Sequence, residues 1–146
     1  MRRFRFRLEP LLHIRKYRER EWELKLAEIT GICVRLEREI ENMGRERARV
    51  FKNRYAGGRG NMQYIWAAEL YMQRLDGEAR EKQKELAEKN VVREKIRKQY
   101  LEVSKERKIL DKLKERQEQR HYDEAVHEET KALDDMNSAL FRGSTS

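Results

Sequence analysis

A chain of 146 residues that is 42% charged and 38% hydrophobic, with 7 Gly, 1 Pro and 1 Cys, is one domain's worth of material with too little apolar side chain for an ordinary globular core. Sandwiches, barrels and doubly wound sheets need turn residues about every dozen positions, and the one dense glycine cluster is Gly57, Gly58 and Gly60. What remains is an all-α chain of two long helices joined once, carrying a formal net charge of +8, with a narrow buried seam and no deep cleft for catalysis.

The chain opens on Met1-Arg-Arg-Phe-Arg-Phe-Arg-Leu8, which lacks the apolar stretch of about ten residues that a secretion signal needs. Glu9, Glu19, Glu21 and Glu23 follow it, and organelle transit peptides are poor in acids. No run reaches the roughly 18 apolar residues of a membrane span. Cys33 is the lone cysteine, so no intramolecular disulfide forms and a reducing compartment fits. These features predict a soluble, cytoplasmic protein.

Helix one is predicted over about residues 9–56. Steps of four and three from Leu8 visit Leu12, Arg15, Glu19, Trp22, Leu26, Ile29, Cys33, Leu36, Ile40, Met43, Arg47 and Val50, and ten of these thirteen positions are apolar. A seam held for that long wants a helical partner along its whole length. Pro10 belongs in the first turn, where its missing N–H costs nothing. A helix of this length spans roughly 70 Å.

The loop 57–61 ends it, with Asn61 placed to cap the next helix. Helix two is predicted from about 62 to 141, with a tail at 142–146. Ile65, Ala68, Met72, Leu75, Ala79 and Leu86 keep the rhythm while Lys82 and Lys89 intrude, and Ile96, Val103 and Leu110 continue it. After Leu113 the phase slips and resumes as Tyr122, Val126, Leu133, Met136 and Leu140, which places a stutter near residues 117–120.

So short a connection makes the helices antiparallel neighbours. Folding the chain about Arg59 sets Val50 near Ala68, Leu36 near Lys82, Leu26 near Val92 and Leu8 near Leu110. Helix one is then used up, and roughly 45 Å of helix two overhangs. An isolated helix is marginal in water, so a striped overhang frays or binds something. Charge is polarised too. Residues 1–20 hold eight Lys or Arg against two Glu, and residues 121–141 hold Lys131 against six acids.

The residues that carry chemistry are few. Glu124 and His127 have the spacing of half a di-iron site, but the second copy and the further carboxylates are missing. His121 and His127 are six apart and do not share a helix face. Cys33 sits in the seam as a packing residue. The glycines at 57–60 lack the Gly-Lys-Ser/Thr of a phosphate loop. No enzyme activity, metal site or cofactor is expected. A basic zipper binding DNA needs an unbroken basic helix, which Glu9 and Pro10 interrupt, so nucleic acid is not the expected partner. A generic structural coiled coil that dimerises through its overhang is the alternative.

Arg3-Phe-Arg-Phe-Arg-Leu-Glu-Pro-Leu-Leu-His-Ile-Arg15 resembles the start of the FliJ family of flagellar export proteins, with its Phe-x-Phe-x-Leu element before a basic helix. Arg107-Lys-Ile-Leu-Asp-Lys-Leu-Lys-Glu-Arg116 and Glu128-Glu-Thr-Lys-Ala-Leu-Asp-Asp135 are similar to the family's closing basic stretch and its Glu-x-x-Lys-x-Leu-Asp-Glu signature. Glu129-Thr130 and Asp135 depart from it slightly. The injectisome counterparts share the same physics, and the end motifs favour the flagellar version. The resemblance implies a non-enzymatic antiparallel coiled coil, like a rotary-ATPase stalk, in the ring of the export ATPase FliI. It also implies contacts with the cytoplasmic domain of the export gate FlhA and with export chaperones, and a place at the flagellar base that touches the membrane only peripherally. On that basis Phe4, Phe6, Arg15, Arg18, Tyr122, Val126, Leu133, Met136 and Leu140 are candidate ring contacts. Tyr71 and Leu75, the aromatic and leucine used for gate binding in the family, are gate candidates together with Trp66. They belong to a crowd of Tyr64, Ile65, Trp66, Leu70, Tyr71 and Leu75 that either docks or packs on Phe51 and Tyr55.

Overall fold

The structure, a computed structural model, describes residues 2–58 and 60–144. Two helices, α1 (Glu9–Asn53) and α2 (Met62–Ser144), carry the fold as an antiparallel helical hairpin, with no strand among the described residues. The chain gathers into two compact units, Glu21–Leu101 and the pair of segments Met1–Arg20 and Glu102–Ser146.

The unit Glu21–Leu101 contains the turn. Its core is Ile29, Cys33 and Leu36 from α1 with Met72 and Leu75 from α2, all buried. These are the seam positions that the four-three rhythm marks, and Cys33 packs there as a fully buried apolar residue. The polar residues on the seam have counterparts. Arg47 donates from Nε to Asp76 Oδ1 at 2.7 Å, and Lys82 donates from Nζ to Glu39 Oε2 at 2.6 Å. Lys82 is thus no intrusion. It is half of an interhelical pair, in which its ammonium holds the Glu39 carboxyl below the usual range and Glu39 raises Lys82 in return.

These pairs also correct the register. Arg47 faces Asp76, where folding about Arg59 would set residue 71 opposite. The connection explains the shift. α1 stops at Asn53 rather than near 56, so the link is longer than the five residues expected. Tyr55 accepts from the Gly58 N–H at 2.9 Å through its carbonyl, and Gly58 takes φ +91°, a left-handed conformation that glycine adopts without a Cβ clash. Asn61 then caps α2 as expected, its Oδ1 accepting from the Tyr64 N–H at 3.2 Å.

In the other unit, Leu12 is fully buried, and Phe6, Val103 and Ser104 are buried with it. The seam's polar positions again find partners. Arg15 pairs with Glu106. Arg107 donates to Glu19 Oε2 at 2.8 Å and to Asp111 Oδ2 at 2.6 Å, and these two carboxylates push the guanidinium further toward its charged form, Glu19 most. Lys114 reaches Glu9 at 2.9 Å.

Residues 2–6 are not helical. They form an arm in which Phe6 is buried and Phe4 half-buried while Arg2, Arg3 and Arg5 are exposed. His121 Nε2 lies 2.8 Å from the Arg2 carbonyl, and the Phe4 and His121 rings stand 5.7 Å apart. α2 therefore keeps a partner as far as His121, about three turns beyond the Leu110 limit that the helices alone would set. The overhang is correspondingly shorter. Every described residue from Val126 to Ser144 is exposed.

Candidate partner-binding surfaces

The face that α2 turns to α1 and the arm is half-buried at Arg107, Leu110, Lys114, His121 and Ala125. Continued by steps of seven and four, that face meets the stripe Tyr122, Val126, Leu133, Met136 and Leu140 at Met136 alone. Tyr122 and Val126 are displaced by one residue from His121 and Ala125, about 100° around the helix, and Leu133 and Leu140 lie about 60–80° from Ala125. The phase slip expected near residues 117–120 is thus a rotation of the apolar face, in a helix that runs unbroken through the region. All five stripe residues are exposed, from 41% at Val126 to 70% at Leu140. Around them Glu124, Glu128, Glu129, Asp134 and Asp135 are exposed and form no ion pair among the described residues.

The other candidates at this end divide. Phe6 is buried and Phe4 half-buried against His121, so they anchor the arm. In the free chain Phe6 is thus an internal packing residue, and Phe4 keeps part of its surface exposed. Arg15 is half-buried and held by Glu106, which makes it a seam residue. Arg18 is exposed. With both phenylalanines turned inward, no exposed aromatic is interleaved with the arm's arginines to stack on bases.

At the turn, Leu75 is in the core at 8% exposure, which removes it from the set of surface residues. Its side chain is used by the hairpin seam. Tyr71 is partly exposed, its hydroxyl 3.4 Å from Glu46 Oε1. Trp66 and Leu70 are 70% and 61% exposed. Phe51 and Tyr55 do not cover them, since both are exposed and hold the Arg54 guanidinium over their rings, 3.7 and 4.7 Å from the centroids. The sequence left Leu70 open between docking and packing, because the rhythm alone does not say which side of Ile65, Met72 and Leu75 is spare.

No group of three His, Cys, Asp or Glu that could hold a metal ion occurs among the described residues. Among the described residues no helix is long and apolar enough to cross a membrane. What the chain offers is surface: an acidic, striped helix end, a basic arm, and an aromatic patch beside the turn.

Comparison with protein families gives a match to the model described as Flagellar FliJ protein, over residues 4–146. Comparison with curated proteins and with solved structures gives no match.

Proposed function

The chain belongs to the FliJ family and is a component of the flagellar export apparatus, and from that premise we propose that it is a non-enzymatic stalk and adaptor binding the ring of the export ATPase FliI. The observation that carries this reading is the rotated stripe. Tyr122, Val126, Leu133, Met136 and Leu140 keep a heptad rhythm over about 20 residues, yet all are exposed, because α1 and the arm are spent by His121. A helix with that pattern is stabilised when a second surface covers it. The six acids of residues 121–141 give this helix end a negative field that favours a basic partner, and the exposed arginines of the arm favour an acidic one beside it.

The test is capture of the full chain on the assembled ATPase, read by mass spectrometry. Wild-type chain is retained, while Leu133→Asp and a truncation after Ala125 are lost with hairpin helicity kept. Retention of both variants would overturn the reading.

The aromatic patch supports a second contact, with the cytoplasmic domain of the export gate FlhA. Trp66, Leu70 and Tyr71 form its exposed part, and Leu75 supports it from the core. Trp66→Ala with Leu70→Ala is expected to abolish gate binding and leave ring capture intact. Export chaperones are further partners on this reading, at the cytoplasmic side of the flagellar base.

A further inference from the structure

We infer that the tip of the hairpin docks directly on an anionic lipid surface, its cations meeting headgroup phosphates while its exposed apolar side chains enter the headgroup layer. This goes beyond the ring and gate contacts and stands without them.

The sequence supplies the charge. Residues 47–68 hold Arg47, Arg49, Lys52, Arg54 and Arg59 and no acid, which makes them the longest acid-free stretch of the chain. Arg47 and Arg49 are neutralised from outside the stretch, by Asp76 and Glu46. Lys52 and Arg54 form no ion pair among the described residues. Lys52 is exposed, and Arg54 donates from Nη1 to the Phe51 carbonyl at 2.9 Å.

The fold adds apolar surface at the same end. Phe51 in the last turn of α1, Tyr55 in the connection, and Met62 and Tyr64 in the first turn of α2 are all exposed, and Trp66 follows one turn further on. Aromatic rings among cations that no acid offsets match the headgroup layer of an anionic bilayer, where Tyr and Trp settle and Lys and Arg meet phosphate. Arg54 stands over the Phe51 and Tyr55 rings, 3.7 and 4.7 Å from their centroids, so apolar body and positive head are presented together, as in a side chain that snorkels at an interface. Among the described residues no helix is long and apolar enough to cross a bilayer, so the contact is docking on its surface.

The same geometry disfavours single-stranded nucleic acid. Stacked bases need free ring faces. Arg54 covers one face of Phe51 and of Tyr55, and the Tyr64 ring packs over Gly57, its Cγ 3.5 Å from where a Cβ would stand. Trp66 alone does not make a stacking platform.

Flotation of the full chain with vesicles tests this, using pure phosphatidylcholine or phosphatidylcholine with about one-third phosphatidylglycerol. Wild type is expected to float with the anionic vesicles and not with the neutral ones, and its partitioning should fall at least about tenfold between about 0.1 and 0.5 M salt. Lys52→Gln with Arg54→Gln should weaken it at least about tenfold. Phe51→Ser with Met62→Ser leaves the charge unchanged and should also weaken it at least about tenfold. Phe51, Lys52 and Met62 are exposed and Arg54 lies beyond the end of α1, so circular dichroism should show wild-type helicity in both variants. Lys105→Gln with Lys112→Gln removes the same charge from two other exposed positions and should cost less than about threefold. No flotation with anionic vesicles, equal flotation with neutral ones, or equal loss from the Lys105 and Lys112 pair would each overturn the inference. So would a single-stranded oligonucleotide bound more tightly than the vesicles and lost in the same tip variants. Ring and gate capture are read without lipid, so failure of either reading leaves the other standing.

Discussion

Leu36→Ala separates what the hairpin needs from what it leaves spare. Leu36 is 2% exposed in the seam one turn from the fully buried Cys33, and the register set by the Glu39–Lys82 pair brings the half-buried Leu86 opposite it. Truncation removes three carbons of fully buried side chain and leaves a cavity that two rigid helices close poorly, so it should cost about 2–5 kcal/mol. For a chain of this size that lowers Tm by roughly 6–20 °C, at about 3–4 °C per kcal/mol. Leu133→Ala makes the same chemical change at a side chain 60% exposed, where the effect should stay within about 0.5 kcal/mol. Thermal melting followed at 222 nm measures both. Equal losses would mean that residue 133 is buried in the folded chain and that the stripe is internal. No loss from Leu36→Ala would mean that the seam is not what holds the helices together.

Other expectations concern the polar seam and the turn. Arg107→Ala leaves Glu19 and Asp111 without their shared guanidinium and should lower Tm clearly, whereas Arg97→Ala, which breaks an exposed intrahelical pair with Glu94, should do little. Because the Lys82 hydrogen bond lowers the Glu39 carboxyl, that pair adds stability above the ordinary carboxylate range and loses it as pH falls through the lowered value. Glu39→Gln should therefore flatten the acid limb of an unfolding curve measured against pH, and an unchanged limb would refute the pairing. Asn61→Ala removes the cap of α2 and should cost about 1 kcal/mol in urea unfolding. Gly58→Ala, at φ +91°, should cost about 1 kcal/mol by the same measure.

The seam was legible because an apolar four-three rhythm has one structural meaning over so many turns. Twelve of the thirteen α1 seam positions are buried or half-buried, Arg47 being exposed. The cap at Asn61 and the start of α1 beside Pro10 followed from local chemistry in the same way. Register did not, since it depends on how many residues the turn consumes, and Asn53 ends α1 early. An error of about one turn hid the Lys82 partner, because Glu39 faces it only in the true register. The arm was missed although its signal was present: Phe4, Phe6 and Leu8 alternate with arginines, the period of an extended segment with one side covered. Phe4 and Phe6 were singled out through the family resemblance instead, which does not say how their rings sit in the free chain. At the turn, Leu75 was marked both by the seam rhythm and by the family resemblance, and burial decided for the seam.

The central claim is that residues 122–144 carry an apolar stripe that the chain's own fold does not use and that the export ATPase covers. Hydrogen exchange on the full chain, dilute and at high salt, tests it most directly. Amides of 126–140 should exchange far faster than those of 103–114 in the free protein, and should become protected when the ATPase ring is added. Protection of 126–140 in the free monomer, or no gain on adding the ring, would contradict the account.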